Sequence, residues 1–293
     1  IQRLKEKVGN RSNSSSEVEF QDAWGILMGE EGRGIPTIIE MATYTRLHCV
    51  LGSSAMLRQA AVQAIAYARQ RKAFGNVLVQ QPLMRGVLAD LALESEAALV
   101  LAMRLTQAYE QGDDPAQRVW KRVMTPAAKF WVCKRAVEAT GEAMEVFGGN
   151  GYVENGPMAR LFREAPVNSI WEGSGNVMCL DVMRAIGREP QATFELLDAL
   201  AQDAQGDARI VAELQALREM LATPPDQLEG LGRRFAQRLV LAAQASLLRR
   251  HAPASVAEAF AATRFDPQWG RVVGAIDTRG IDVDALLQRA LPA

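Results

Sequence analysis

A chain of 293 residues with 48% hydrophobic and 23% charged side chains can bury a sizeable core, as one large or two medium domains. Its apolar runs are too short and too interrupted to span a bilayer, so no membrane partner is expected, and a net charge of −1 supplies no generic pull on nucleic acid or anionic lipid. Two histidines and three scattered cysteines (Cys49, Cys133, Cys179) leave little material for a metal site, a disulfide framework or a Ser-His-Asp triad, and suit buried thiols in a reducing, cytoplasmic setting.

Residues 1 to 28 combine a Ser/Asn-rich turn with the alternation Val18, Phe20, Trp24, Ile26, which predicts strands. After the glycine-rich GEEGRGIP, Pro36 suits the first turn of a helix running to about Lys72. A second helix is expected from Pro82 to about Gln111 and a third from Pro115 to Val146 or Phe147, where GGNG supplies a left-handed cap. Shorter helices are expected at Pro157 to Arg163 and Asn176 to Ile186. Beyond Pro190 the chain contains no lysine, and its texture predicts helices near 191–205, 207–222, 226–251, 253–262 and 282–291.

Three segments interrupt this helical pattern in ways that could serve a ligand. ARQRKAFGNVL places Arg71, Phe74 and Gly75 at a helix end, where a cation, an aromatic face and bare backbone could meet a flat phosphorylated molecule; the plain alternative is a solvated terminus. FGGNGY, residues 147–152, offers close backbone approach suited to pyrophosphate, or simply a helix cap. NSIWEGSGNV puts Trp171 and Glu172 at a break followed by Ser174 and Asn176, which could bond a ligand or cap the next helix.

In this order the segments resemble the RxxFG, GGxGY and EG[TS] motifs of the acyl-CoA dehydrogenase family, and the likeness covers about residues 1–188. The resemblance implies a mainly α fold. Residues 1–34 would be the end of a middle β-domain with its linker, 35–188 a four-helix bundle, and 189–293 an extra helical domain. An N-terminal helical domain and most of the β-domain would precede Ile1. It further implies FAD bound at subunit interfaces, usually within a homotetramer. Arg71 and Phe74 match positions that reach FAD from a neighbouring subunit, and Gly148 and Gly149 match contacts near its phosphates. Ser174 and Asn176 match flavin-adjacent polar positions. Glu145 stands where relatives usually carry Gln, and Pro82 replaces another Gln for which Gln81 could substitute. Glu172 matches the catalytic base. The alternative base position on the first helix is occupied here by Thr45, which cannot act as one. Arg46 and Arg184 match arginines near the acyl site, and Trp171 replaces a frequent Tyr and could narrow the pocket.

The tail selects a branch. The stretch RRFAQRLVLAAQASLLRRHAPASVAEAFAATRFDPQWGRVVGAID resembles the tail of bacterial members induced by DNA alkylation in the adaptive response, which implies double-stranded DNA binding, weak activity toward isovaleryl-CoA, and protection from, or destruction of, alkylating small molecules. At about 100° per residue Arg234, Arg238 and Arg249 fall within roughly 60° of one another on the 226–251 helix, with Arg233 and Arg250 flanking them. Guanidinium groups suit phosphates, yet residues 189–293 carry eleven Arg against fourteen Asp and Glu, which also fits a solvated bundle face. The alternative is an ordinary short- or branched-chain dehydrogenase whose extension serves assembly.

Overall fold

The computed structural model describes residues 1–112, 114–269 and 272–292. The opening segment forms one short antiparallel pair, β1 (Arg3–Leu4) with β2 (Ser16–Glu17), and rests on a later helix through Gly9, whose missing Cβ lets it approach the Arg163 carbonyl. The strands expected from the Val18 to Ile26 alternation are absent. Phe20, Trp24 and Ile26 are largely exposed, because no strand among the described residues lies beside them to complete a ladder.

Helix α1 (Gly34–Gln70) is 37 residues long and so spans about 55 Å. It ends where Arg71 turns to extended geometry and opens the tight hairpin β3 (Lys72–Ala73) and β4 (Asn76–Val77). Pro82 then starts α2 (Pro82–Glu110) at the position where a missing N–H costs nothing. The third expected helix is continuous but not uniform. It runs as α3 (Pro115–Val119), a π-helical turn (Trp120–Met124) and α4 (Thr125–Val146). Pro126 explains the irregular turn, since its ring removes an interior donor and crowds the carbonyl four residues back. Alanines on α1 (Ala60, Ala61, Ala64, Ala68) and α4 (Ala127, Ala128, Ala136, Ala139, Ala143) are buried and allow these two helices to pack closely. The bundle is completed by the short α5 (Gly149–Tyr152), α6 (Pro157–Asn168) and α7 (Gly175–Arg188).

The tail contains α8 (Pro190–Asp203), α9 (Ala208–Leu221), α10 (Pro225–Gly230), α11 (Gly232–His251), α12 (Ala254–Arg264) and α13 (Val283–Ala290). The helix expected over 226–251 is therefore divided at Leu231, between two glycines. Helix α11 packs against α2, α4 and α7 as well as α8, α9 and α12, so one apolar core runs across the expected boundary near residue 189.

A buried charge cluster joins the two parts. Arg264 of α12 donates to Glu94 of α2 (Nη2 to Oε1, 2.7 Å) and bonds Asp90, Arg135 of α4 donates to the second Glu94 oxygen at 3.0 Å, and the Gly274 amide donates to Asp90 at 2.7 Å. Burial alone would raise the Glu94 pKa, but Arg135 and Arg264 hold it below the usual carboxylate value. Replacing Arg264 with Met should leave two buried carboxylates short of a cation and cost about 3–5 kcal/mol in a urea unfolding measurement. A second pairing is pH-sensitive. Side-chain bonds from Arg209 and then Arg249 keep the Asp207 carboxyl well below its ordinary range. Its contribution is thus present above the unfolded value of about 3.9 and is lost as pH falls through the folded one. Melting temperatures should drop below about pH 4, and Asp207→Asn should flatten that acid limb.

Candidate functional site

The sequence-predicted base lies on the turn between α6 and α7. Its amides bond back to α6, Ile170 and Trp171 both donating to the Val167 carbonyl, after which Glu172 takes φ +59° and Gly173 φ +111°. A left-handed glutamate costs of order 1–3 kcal/mol and persists only where its surroundings hold it. Two cations supply that hold. Arg46 of α1 donates from Nε to the Glu172 carbonyl at 3.0 Å, and Lys129 of α4 donates from Nζ to the Gly173 carbonyl at 2.8 Å. Arg46 is itself fixed by Asp181 of α7 at 2.9 Å, and Arg122 from the π-helical turn bonds the other Asp181 oxygen at the same distance. Burial works to raise the Asp181 pKa, yet the bond from Arg122 and the charge of Arg46 hold it below its ordinary value.

Behind the turn, burial raises Cys49, with Lys129 and the Trp171 indole opposing it, and pushes Cys133 up to about 12, so neither thiol is a reactive nucleophile. Trp171 is 40% exposed and Glu172 half-buried, its carboxylate without a hydrogen-bond partner among the described residues. Thr45, on the same stretch of α1, returns its hydroxyl to the Ala42 carbonyl. Arg184 is exposed and lines a different groove, of about 470 Å³, with Leu180, Met183, Pro190, Phe194 and Leu228.

The other motif residues gather at the far end of α1. Phe74 and Gly75 both have positive φ, as a two-residue hairpin turn of this type requires, and Phe74 is 95% exposed at the tip. Gln81 reaches back to the Ala73 carbonyl. The glycine turn is held alongside, because Phe147 stacks on Tyr67 at 4.2 Å and Asn150 donates to the Tyr67 hydroxyl. A Cβ added at Gly148 or Gly149 would meet nothing within 4 Å, whereas at Gly151 it would lie 2.1 Å from the Met144 carbonyl. The first two glycines therefore leave backbone open to a ligand and the third is needed for packing. Glu145 is exposed beside them. Arg71 follows Arg46 by 25 residues on one helix, which puts this group roughly 37 Å from the Glu172 turn.

The expected basic stripe on α11 is corrected. That helix is buried around most of its girth, and three of its arginines meet carboxylates of the neighbouring helices instead of forming an open stripe. Arg238 is paired with Glu213, Arg249 with Asp207 and Glu258, and Arg250 with Asp203. Arg233 is exposed, donates to Asn176 at 2.7 Å and lies 5.1 Å from the Phe130 ring centre, while Arg234 is exposed and unpaired among the described residues. Both border a cleft of about 700 Å³ walled by Phe130, Trp131, Lys134 and Trp269.

Residues 32–187 match the family profile described as acyl-CoA dehydrogenase, C-terminal domain, more than half of the chain. The chain belongs to the acyl-CoA dehydrogenase family. Among curated relatives, AidB of Escherichia coli (strain K12), named as an acyl-CoA dehydrogenase, is 44% identical over 271 residues, 92% of this chain and 49% of its own length. Acyl-CoA dehydrogenase family member 11 of Caenorhabditis elegans is 33% identical over 64% of this chain and 31% of its own. The chain thus spans half or less of these two proteins. The solved structure of Bd2924 in its apo form superposes with a TM-score of 0.79 over 86% of this chain and 50% of its own, at 28% identity. That of Caenorhabditis elegans ACDH-11 in complex with C11-CoA does so with 0.80 over 99% of this chain and 49% of its own; at 23% identity it supports the fold alone.

Arg122, Lys129 and Asp181 escaped the sequence reading. The signal available for Lys129 was a single cation inside PAAKFWVC, an otherwise apolar helical run. Gly173→Ala should strain the turn, since the new Cβ would lie 2.5 Å from Met178 Cε at a φ unsuited to alanine. A loss of about 1–3 kcal/mol in thermal or urea unfolding is expected.

Proposed function

We propose that this chain supplies the base and part of the cofactor site of an FAD-dependent acyl-CoA dehydrogenase, and that its tail binds double-stranded DNA. The observation that carries the first part is the Glu172 turn, a strained backbone with an unpartnered carboxylate clamped by Arg46 and Lys129. In this reading Glu172 takes the α-proton of an acyl thioester, and its own amide, which has no acceptor among the described residues, polarises the thioester oxygen. FAD would supply the hydride acceptor. Trp171 stands beside the base, where its indole would narrow the acyl pocket. The open backbone at Gly148 and Gly149 fits a pyrophosphate, with Arg71, Phe74 and Gln81 around it, while Ser174 and Asn176 fit the flavin end. Because these groups lie roughly 37 Å apart along one helix, one cofactor touching both needs two chains, which supports a homo-oligomer, and the family resemblance makes it a homotetramer.

For the tail, its resemblance to family members of the adaptive response carries the reading of double-stranded DNA binding, action against alkylating small molecules, a cytoplasmic location and weak activity toward isovaleryl-CoA, and the similarity to AidB over 92% of the chain extends into that tail. Among the described residues no helix is long and apolar enough to cross a membrane. With Arg238, Arg249 and Arg250 engaged internally, the phosphate-binding role passes to Arg233, Arg234 and Lys134 at the aromatic cleft. The same internal pairing favours the second reading, an ordinary branched-chain dehydrogenase whose extension serves assembly.

In the full-length flavoprotein, Glu172→Gln should slow flavin bleaching by isovaleryl-CoA by at least about 10²-fold and leave duplex DNA binding intact. Changing Arg233, Arg234 and Lys134 together to Ala should reduce the slope of log affinity against log salt by about 2–3. Bleaching with unchanged mobility on duplex DNA at low salt would select the assembly reading, and bleaching that survives Glu172→Gln would remove the base assignment.

A further inference from the structure

Lys129 is the one lysine among the described residues whose side chain is buried, at 1% exposure, between Ala127, Ala128, Phe130 and Trp131 in sequence. An ammonium in such a place is costly unless something is gained by its bonds. Its hydrogen bond among the described residues goes to the Gly173 carbonyl, and burial draws its pKa down, with Cys133, Cys49 and Glu172 acting in the opposite sense. The helix would pack without a charge here. The bond has a directional consequence. A trans peptide carries its C=O and N–H on opposite edges, and no cis bond occurs among the described residues. Arg46 draws the Glu172 carbonyl into the bundle and Lys129 draws the Gly173 carbonyl the same way, so the amides of Gly173 and Ser174 are turned outward. Neither amide has an acceptor among the described residues. Nor does the Glu172 carboxylate have a partner of its own, so its position is set by the backbone that carries it.

We propose that Lys129 is a positioning residue for the Glu172 base: with Arg46 it fixes two successive carbonyls inward, and so aims the base and the two following amides at the reacting face. This rests on Glu172 being the base of the proposed dehydrogenation. Lys129, buried behind the turn, acts through the Gly173 peptide.

The test uses the full-length flavoprotein with Lys129→Met, which keeps the length and removes the donor, and Lys129→Gln as a second variant should the first not fold. At saturating isovaleryl-CoA the bleaching rate should fall about 100-fold, the loss expected from a displaced catalytic group, while the half-saturating concentration changes by less than about 3-fold. Independently of activity, hydrogen exchange at Trp171 and Met178, whose amides bond Val167 at the end of α6 and Ser174 at the start of α7 and so flank the turn, should speed up by about 10-fold with α1 and α4 unchanged. A rate within about 3-fold of the parent with unchanged local exchange overturns the proposal, as does faster exchange throughout the bundle, which would make Lys129 a packing residue. If the parent protein itself fails to bleach, the dehydrogenase reading falls, and the exchange pattern still decides whether Lys129 holds the turn.

Discussion

The cluster of Asp90, Glu94, Arg135 and Arg264 is the constraint on which the arrangement of this protein depends. Two carboxylates on α2 face two guanidinium groups from α4 and α12, all nearly inaccessible to solvent. Each charge is tolerable only because the others are present, so the cluster forms as a unit or not at all. It ties the tail to the bundle at a point that apolar packing alone would leave free to slide. With α12 seated there, α11 is enclosed by its neighbours, and Arg238 and Arg249 on it are paired with carboxylates.

That sequence of causes alters how the tail can meet an anion. Eleven arginines suggest a broad basic face in composition, but folding neutralises several of them internally. Among the described residues, a small local group lies open beside aromatic walls where α4 meets α11, Arg233 and Arg234 with Lys134. The bundle also contributes to that cleft, so an anion held there would touch both parts. Arg233 bonds Asn176 at the start of α7, which places the cleft next to the polar residues that follow the base.

Much of the fold was legible in the sequence because proline, glycine and periodicity mark helix ends for local reasons. Pro82 and Pro115 begin helices, GGNG ends one, and α1, α2 and most tail helices lie within a few residues of their expected positions. The failures have other causes. Alternation at Val18 to Ile26 describes side chains that could line a strand, but a strand needs a neighbour, and local sequence does not provide one. Helical-wheel geometry put Arg234, Arg238 and Arg249 on one side, but could not say that α9 and α12 would bring carboxylates to Arg238 and Arg249 there. At the site, motif order singled out Glu172, Gly148 and Phe74 as candidates. The two residues that hold the Glu172 turn come from α1 and α4, helices distant from it in sequence, and their meeting is a tertiary fact.

The separation of the two motif groups along α1 bears on more than geometry. A ligand that needs both ends of the helix from different copies is retained only by the assembled form, so its occupancy follows mass action between chains. Dilution would then strip the ligand without any change in the residues that touch it. Conversely, saturating ligand would hold the assembly together at concentrations where bare chains part, making cofactor supply a determinant of quaternary structure.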